Sequence, residues 1–447
     1  MNKNVLKFSN LSELKLSLIK GSIGSIGLKV GNLGLGFLST LIIARLLGSS
    51  AFGVYSFVLS FVSLLSIPAQ LGLPQFMVRQ TAYYRALKNW GMMRGLFFWA
   101  GKNVVIFSFS LTIISGFILY IVKNNLDAEL FTTFVTALFL IPILAFTAFA
   151  QASLRGLHHV LLGQLPEMII KRGVFIGLAL SLYLLKIQKW MVPTGAMVLH
   201  VGAAFIAALF AIYLFLKYAP GELKNCKPEI QGKQWLFGIL PFLFLGSMQV
   251  LNNHTDVTML GILKSPEEVG PYKVAVQLSM LISIPLQAIN MVIAPQIARL
   301  WTEKKLKKLQ SMITWSARAI LVLSFPLAFL FIYFGEQIVA ILFGADFLEA
   351  NKALIILSLG QIINTGMGSV GLLLNMTGHE MKAAKSLGIA VLVNLVLNLT
   401  LIPQFGSIGA ALATASSYLI WNIYMGISVW KSIHINPTAF GLLKTKI

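Results

Sequence analysis

Long apolar runs, each cut off by a short cluster of polar and basic residues, recur from Gly21 to Trp430. Within a run the apolar residues are continuous, whereas an outer-membrane barrel would alternate over strands of about ten residues. Each run can cross about 30 Å of hydrocarbon at about 1.5 Å per residue. Backbone groups surrounded by lipid must find their partners within the segment, which demands helix. The pattern predicts twelve spans, beginning near Gly21, Phe52, Val104, Leu130, Leu165, Met191, Trp235, Tyr272, Ala317, Ala353, Leu387 and Ile408. No segment between them exceeds about 25 residues, so no catalytic domain is expected outside the bilayer.

Composition agrees with an all-α integral membrane protein. The 447 residues are 57% hydrophobic and 11% charged, with a mean hydropathy of +0.82. Soluble domains carry about 25% charged residues, so a water-soluble globule is excluded. The single cysteine, Cys226, excludes an intrachain disulfide and a multi-cysteine metal site. Residues 1–20 hold four lysines on a weakly amphipathic segment with no small-residue cleavage site, and read as a retained cytoplasmic segment.

A net charge of +21 would suit nucleic acid if it were clustered on one soluble surface. Its placement says otherwise. With twelve spans and the N-terminus inside, 27 of the 35 Lys and Arg fall on the two tails and the loops 79–102, 153–172, 217–233, 299–318 and 377–385. The opposite loops hold Lys123, Lys186, Lys189, Lys264 and Lys352, among Asp127, Glu129, Glu267, Glu268, Asp346 and Glu349. Lys29, Arg45 and Lys273 lie within or at the ends of spans. This is a positive-inside pattern with both termini in the cytoplasm, and it predicts a multi-pass protein of an inner (cytoplasmic)-type membrane. The expected surroundings are the phospholipid bilayer, with no nucleic acid.

The sequence also repeats itself at an offset of 217 residues. Gly53, Tyr55, Leu64, Ser66, Ile67, Pro68 and Gln70 fall on Gly270, Tyr272, Leu281, Ser283, Ile284, Pro285 and Gln287. Weaker matches pair Gly195-Ala196 with Gly409-Ala410, and Gly156 with Gly378. Six spans separate the copies, so the halves are parallel, related by an axis along the membrane normal, as in transporters whose substrate site lies between the halves. The expected division is an N-terminal segment 1–20, a six-helix lobe 21–217, a cytoplasmic linker 218–234, a second lobe 235–430 and a cytoplasmic tail 431–447.

Polar side chains inside spans mark the candidate working surface, because an ionisable group at the bilayer centre costs roughly 2.5–3.5 kcal/mol. Lys29, Asn32 and Gly36 share one face of the first span; Lys29 reads as facing a hydrated cavity or as snorkelling to the interface. Span 7 carries Asn252, His254 and Asp256, and span 8 carries Lys273, Gln277 and Gln287. Asp256 and Lys273 read either as an ion pair in the outer half of the bilayer or as substrate contacts. His254 reads as an interhelical donor or a proton carrier. Arg45 and Arg79, near span ends, suit lipid headgroups by default and phosphate oxygens if they face a central cleft. Gln70 joins the list through the repeat. Asp256, His254 and Glu167 are the candidates for coupling to a proton or sodium gradient; no cofactor and no metal site is expected.

Several stretches carry a family resemblance: Ala44-Arg45-x-Leu47-Gly48 with Phe52-Gly53-x-Tyr55, Leu154-Arg155-Gly156, Val269-Gly270-x-Tyr272, Ile341-Leu342-Phe343-Gly344 with Phe347, and Pro403-x-Phe405-Gly406-x-Ile408-Gly409-Ala410-Ala411-x-Ala413-Thr414. In order and spacing the chain resembles the polysaccharide-transporter (Wzx, O-antigen flippase) branch of the multidrug/oligosaccharidyl-lipid/polysaccharide (MOP) exporter superfamily. The resemblance implies two six-helix lobes in a MATE-like V and a cavity lined mainly by spans 1, 2, 7 and 8. It also implies alternating access, with a polyprenyl-diphosphate-linked oligosaccharide as cargo for O-antigen or lipopolysaccharide biosynthesis. A polysaccharide polymerase and a chain-length regulator are the implied partners. Lys29, Arg45, Arg79 and Lys273 become the candidate diphosphate ligands; Asn32, Gln70, Asn252, Asp256, Gln277 and Gln287 become the polar cavity lining. The rivals are a cation-coupled multidrug exporter of the same fold, a lipid II flippase, a membrane-embedded glycosyltransferase or polymerase, and a major-facilitator transporter. An exporter of cations wants an acidic cavity, and Asp256 is the only carboxylate placed well inside a span. A glycosyltransferase wants an Asp-x-Asp pair or paired carboxylates, which the sequence lacks, so the chain reads as a transporter and not an enzyme.

Overall fold

The computed structural model describes residues 10–185, 187 and 190–441, with side chains from Gly27 onward apart from those of residues 224 and 245. Residues 1–9 of the expected N-terminal segment, and Lys186, Lys189, Lys444 and Lys446 of the charge pattern, lie outside the described residues. Among the described residues all regular structure is helical.

The first half runs α1 (Asn10–Leu47), α2 (Ser49–Gln70), α3 (Leu73–Ala86), α4 (Trp90–Ile121), α5 (Ala128–Leu138), α6 (Leu140–Gly156) and α7 (Val160–Leu165). A π-helical turn, Pro166–Ile170, leads into α8 (Lys171–Leu184), and α9 (Pro193–Tyr218) closes the half. The short α10 (Glu222–Asn225) lies in the linker. The second half runs α11 (Gly232–Leu263), α12 (Val269–Leu281), α13 (Ile284–Thr302), α14 (Leu306–Tyr333), α15 (Gly335–Leu342), α16 (Ala350–Gly366), α17 (Val370–Met376) and α18 (Glu380–Ile433).

Among the described residues nine helical segments are long and apolar enough to cross a membrane, ten if the bent pair α12–α13 is one span. Two features reconcile this with twelve crossings. The 54-residue α18 is far longer than a bilayer is thick, and Gly406 breaks it with non-helical torsions (φ 55, ψ −130), so it supplies two. Residues 160–184 supply the other, a span interrupted by the π-turn and carrying Glu167, Lys171 and Arg172. Large apolar side chains cover the exterior, among them Ile113 and Phe117 on α4, Leu209 on α9 and Phe325 on α14, which is the surface a bilayer requires.

The repeat is visible in the turns. Four helix–helix connections each place one residue in the left-handed region: Lys88 (φ 52), His158 (φ 66), Lys304 (φ 55) and Gly378 (φ 78). The next N–H in each case returns to a carbonyl five residues earlier, as Asn89→Tyr84, His159→Leu154, Lys305→Leu300 and His379→Leu374, at 2.8–2.9 Å. The equivalent of Gly378 is therefore His158 and not Gly156, because the loops differ in length. The Ser-Ile-Pro-x-Gln units also match in detail. Gln70 Nε2 donates to Ser66 Oγ at 3.3 Å and Gln287 Nε2 to Ser283 Oγ at 3.1 Å. The spans break at opposite ends of the motif, after it at Leu71–Gly72 in the first copy and at its start at Ile282–Ser283 in the second.

The two halves meet most closely where α2 crosses α12, next to the Gly48 turn. A methyl group on Gly53 would strike the carbonyl oxygen of Pro266, and one on Gly270 would strike that of Ser49. Pro266 and Ser49 are repeat equivalents, as are the two glycines, so the crossing sits on the pseudo-twofold axis. Phe52 stacks edge-on against Phe347 of the second half, with centroids 6.1 Å apart. At the opposite end, where the tails lie, a separate apolar cluster of α13, α14, α17 and α18 (Ile297, Leu309, Leu373, Val429) stands apart from the main core. The start of α11 instead leans on the first half, with Trp235 Nε1 donating to Tyr84 Oη at 3.0 Å. The halves are thus joined at the Gly48 end and divided beside α13 at the tail end.

Candidate functional site

Beneath the α2–α12 crossing lies a cavity of about 280 Å³. Asn32, Gly36, Ser39 and Thr40 of α1 and Tyr55, Ser56 and Ser60 of α2 form one side. Lys171, Arg172 and Phe175 of α8 and His200 of α9 form another; His254 of α11 and Lys273 and Gln277 of α12 complete it. Gly36 has a specific part in this. Its missing side chain leaves the space in which the Arg172 guanidinium lies across α1, and a methyl group there would collide with Nη1. The π-turn at Pro166–Ile170 shifts the helix register just before Lys171, and such turns recur at functional sites.

The cavity's electrostatics are one-sided. Arg172, from the first half, and Lys273, from the second, have no hydrogen-bond or ion-pair partner among the described residues. His254 Nδ1 is buried and unpartnered as well. Lys171 reaches Glu167 at 3.6 Å, and that carboxylate lies outside the cavity wall. No Asp or Glu lines the cavity among the described residues. Cations held in a partly buried space whose wall carries no carboxylate invite an anion, and a guanidinium presents the fork that phosphate oxygens accept.

Two tyrosines at repeat-equivalent positions flank this space. Tyr55 Oη lies 2.7 Å from His200 Nδ1. Tyr272 Oη donates to Asp256 Oδ2 at 2.6 Å, while Val257 N–H donates to Asp256 Oδ1 at 2.8 Å. Asp256 is therefore a buried carboxyl tied within the second half, with Thr414 of α18 at 3.5 Å. It makes no ion pair with Lys273 within 4 Å, although the two charges attract across a longer gap.

Among the sequence candidates, Asn32, Lys273, Gln277 and His254 come together on the cavity wall. Lys29 is exposed on α1 and off that wall. Arg45 is exposed too, and its guanidinium caps the C-terminal end of α15 in the other half, donating to the carbonyls of Leu342 and Ile341. Arg79 is exposed on α3. Gln287 is exposed and Asn252 half-buried, neither on this wall. Gln70 lines two neighbouring cavities, and Glu167 one of them. The expected wall of spans 1, 2, 7 and 8 gains two more, since Lys171, Arg172, Phe175 and His200 come from spans 5 and 6. The sequence signal for them was Glu167 four residues before Lys171 in an apolar run, and His200 alone in the middle of another.

Residues 18–301, well over half of the chain, match the polysaccharide biosynthesis protein family. The chain belongs to that family. Residues 241–400 match the MatE family in addition. Among curated relatives, the probable low-salt glycan biosynthesis flippase Agl15 of Haloferax volcanii is 26% identical over 410 residues, covering 91% of this chain and 82% of that protein. Among solved structures, an inward-facing multidrug resistance MATE family transporter of the MOP superfamily superposes with a TM-score of 0.71 at 15% identity, covering 90% of this chain and 94% of the other. The lipid II flippase MurJ, in an inward closed conformation, gives a TM-score of 0.70 at 15% identity, covering 92% and 87%. The fold is thus the all-α MOP fold of two parallel six-helix lobes, and this family member is a multi-pass membrane transporter and not an enzyme.

Proposed function

We propose that the protein is a flippase for a polyprenyl-diphosphate-linked oligosaccharide, moved from the inner to the outer leaflet of the cytoplasmic membrane by alternating access. One observation carries the reading: Arg172 and Lys273, one from each half, converge unpartnered on a cavity without a carboxylate. A diphosphate supplies the missing counter-charge, and because the two cations belong to different halves, binding it draws the halves together. The same cavity disfavours export of cationic drugs. The glycan-flippase name of the relative in Haloferax volcanii supports the cargo class.

The positive-inside pattern supports placing both termini in the cytoplasm, which makes the tight Gly53–Gly270 crossing the outer closure. Cargo then loads from the cytoplasmic leaflet and leaves when that crossing parts. Asp256 is the coupling group in this reading, a buried carboxyl hydrogen-bonded two residues beyond the gate glycine, through Tyr272. The test is a transbilayer assay in proteoliposomes with lipid-linked oligosaccharides extracted from the host. Arg172→Ala with Lys273→Ala is expected to slow transfer at least tenfold while the protein stays folded. Transfer at the wild-type rate by that pair would overturn the proposal.

A further inference from the structure

A second cavity, of about 230 Å³, lies where α2 breaks into α3 and faces α11. The break is built in: Leu71 (φ 51) and Gly72 (φ 67) both take left-handed torsions. The backbone of α11 at Leu243 comes so close to Gly72 that any side chain there would collide with it. The wall contrasts with that of the cationic cavity. It carries no charged residue; its polar groups are Gln70, Gln75, Ser247 and Gln249, and Phe242 flanks them. Gln75 and Gln249 have no hydrogen-bond partner among the described residues, and Gln70 commits only its amide nitrogen, to Ser66.

That chemistry selects among ligand classes. A phosphate would require cations and a cationic drug a carboxylate; this wall instead sets three amides among the apolar Ile67, Pro74, Phe242, Leu243 and Val250. Three side-chain amides, each both donor and acceptor, match the neighbouring hydroxyls of a sugar, which also both donate and accept. An edge-anchored aromatic suits the apolar face of a sugar ring, and Phe242 is held in place by a T-shaped contact with Phe76, centroids 6.2 Å apart. Pockets for drug-sized ligands run to about 300–1,000 Å³, so a space somewhat below that range admits a single ring. The two cavities are near neighbours. A small third one, of about 70 Å³, shares Gln70 with the amide-lined cavity and Lys171 with the cationic one.

We propose that the amide-lined cavity is a glycan subsite, holding a sugar of the cargo while the cationic cavity holds its diphosphate. The proposal rests on the flippase reading. Charge then anchors any polyprenyl diphosphate, and Gln70, Gln75 and Gln249 determine which glycan is accepted.

The test measures binding to the purified full-length protein by native mass spectrometry with two probes. One is the pool of lipid-linked oligosaccharides extracted from host membranes; the other is bare polyprenyl diphosphate of the same chain length. Gln70→Ala with Gln249→Ala is expected to weaken the glycan-bearing probe about tenfold and the bare probe less than twofold. Gln70→Met with Gln249→Met keeps the side-chain volume and removes the amides without adding charge, so the same selective loss in a variant of wild-type melting temperature separates recognition from misfolding. Unchanged affinity for the glycan-bearing probe, or equal loss for both probes, overturns the glycan subsite. Failure of the underlying reading looks different. Arg172→Ala with Lys273→Ala would then retain bare diphosphate, or the wild-type protein would bind neither probe.

Discussion

The crossing of α2 and α12 yields the sharpest quantitative expectation. In Gly53→Ala the new methyl group meets the Pro266 carbonyl oxygen head-on and lies 3.0 Å from Glu267 O and from Gly270 N. All three are backbone atoms, so no rotamer change relieves the contact and the helices must separate. Overpacking of this kind costs about 1–3 kcal/mol. The helix-propensity gain of about 0.5–1 kcal/mol from replacing glycine applies in closed and open states alike, and cancels. The closed state alone is penalised, which shifts the closed-to-open ratio about 5- to 150-fold. A Ser56→Cys reporter in a Cys226→Ser background reads this directly, since Ser56 lines the cavity just beneath the crossing. Its labelling by a membrane-impermeant maleimide from outside cells should accelerate by that factor in Gly53→Ala.

Symmetry adds a second constraint. Gly270→Ala should act alike, because its methyl group meets Ser49 O, and the double variant should fall well short of the product, since both residues report one contact. Gly202→Ala, a helical site with nothing within 4 Å, is the matched control and should leave labelling unchanged. If both gate variants folded normally and labelled at the control rate, the crossing would not be the closure.

Further expectations concern separate parts of the fold. Tyr272→Phe removes a donor to a buried carboxyl and should destabilise by about 1–3 kcal/mol, more than Tyr55→Phe, whose partner is the His200 ring; equal melting temperatures would contradict the Asp256 tie. Arg45→Ala removes a cap on the α15 carbonyls, worth about 0.3–1 kcal/mol, so it should raise outside labelling at position 56 less than Gly53→Ala does, with bare-diphosphate affinity unchanged within twofold; a large loss of affinity would return Arg45 to the binding site. In the cysteine-free background, Lys123→Cys should label from outside cells and Lys305→Cys should not; the reverse pattern would invert the orientation.

The spans, their parallel duplication and the bias of basic residues were all legible in the sequence, because each is a local or periodic signal. The site was legible only in part. Lys273 and Asn32 stood out as polar groups inside apolar runs, and both reach the cavity. Arg172 did not, since a Lys-Arg pair near the start of an apolar run looks like a loop end; the helix that continues from Val160 through the π-turn lays it across Gly36 on the cavity wall. Lys29 illustrates the converse. It shares a helical face with Asn32 and Gly36 in one dimension, yet the cavity begins further along α1 and leaves it exposed. Asp256 and Lys273 attract one another without closing to an ion pair within 4 Å, and the direct donor to the carboxyl is Tyr272, a neighbour in sequence that the spacing of charges did not single out. The amide-lined cavity could not be read at all without knowing that α11 lies against the Gly72 break.

Duplication explains both what the scaffold supplies and what it cannot. The crossing glycines, the flanking tyrosines and the Ser-Ile-Pro-x-Gln motifs occur in equivalent pairs, although the helix breaks after the motif in one half and at its start in the other. The chemistry is not paired. The equivalent of Lys273 is Ser56, which also lines the cavity but brings no charge, and the equivalents of the Tyr55–His200 contact and the Gln70 pocket are a Tyr272–Asp256 contact and an exposed Gln287. A symmetric cavity would bind an asymmetric headgroup in two positions related by the axis, so its lipid tail could leave by either side of the bundle. With Gln70 and Gln75 on the first half and the buried Asp256 carboxyl on the second, the proposed diphosphate and glycan contacts hold the cargo in one lateral orientation on a scaffold of two equivalent halves. Moving the amide set across the axis, by grafting the α2–α3 glutamines onto α13, should therefore abolish glycan discrimination without loosening the Gly53–Gly270 closure, and a graft that altered both would show that gate and pocket are not separable.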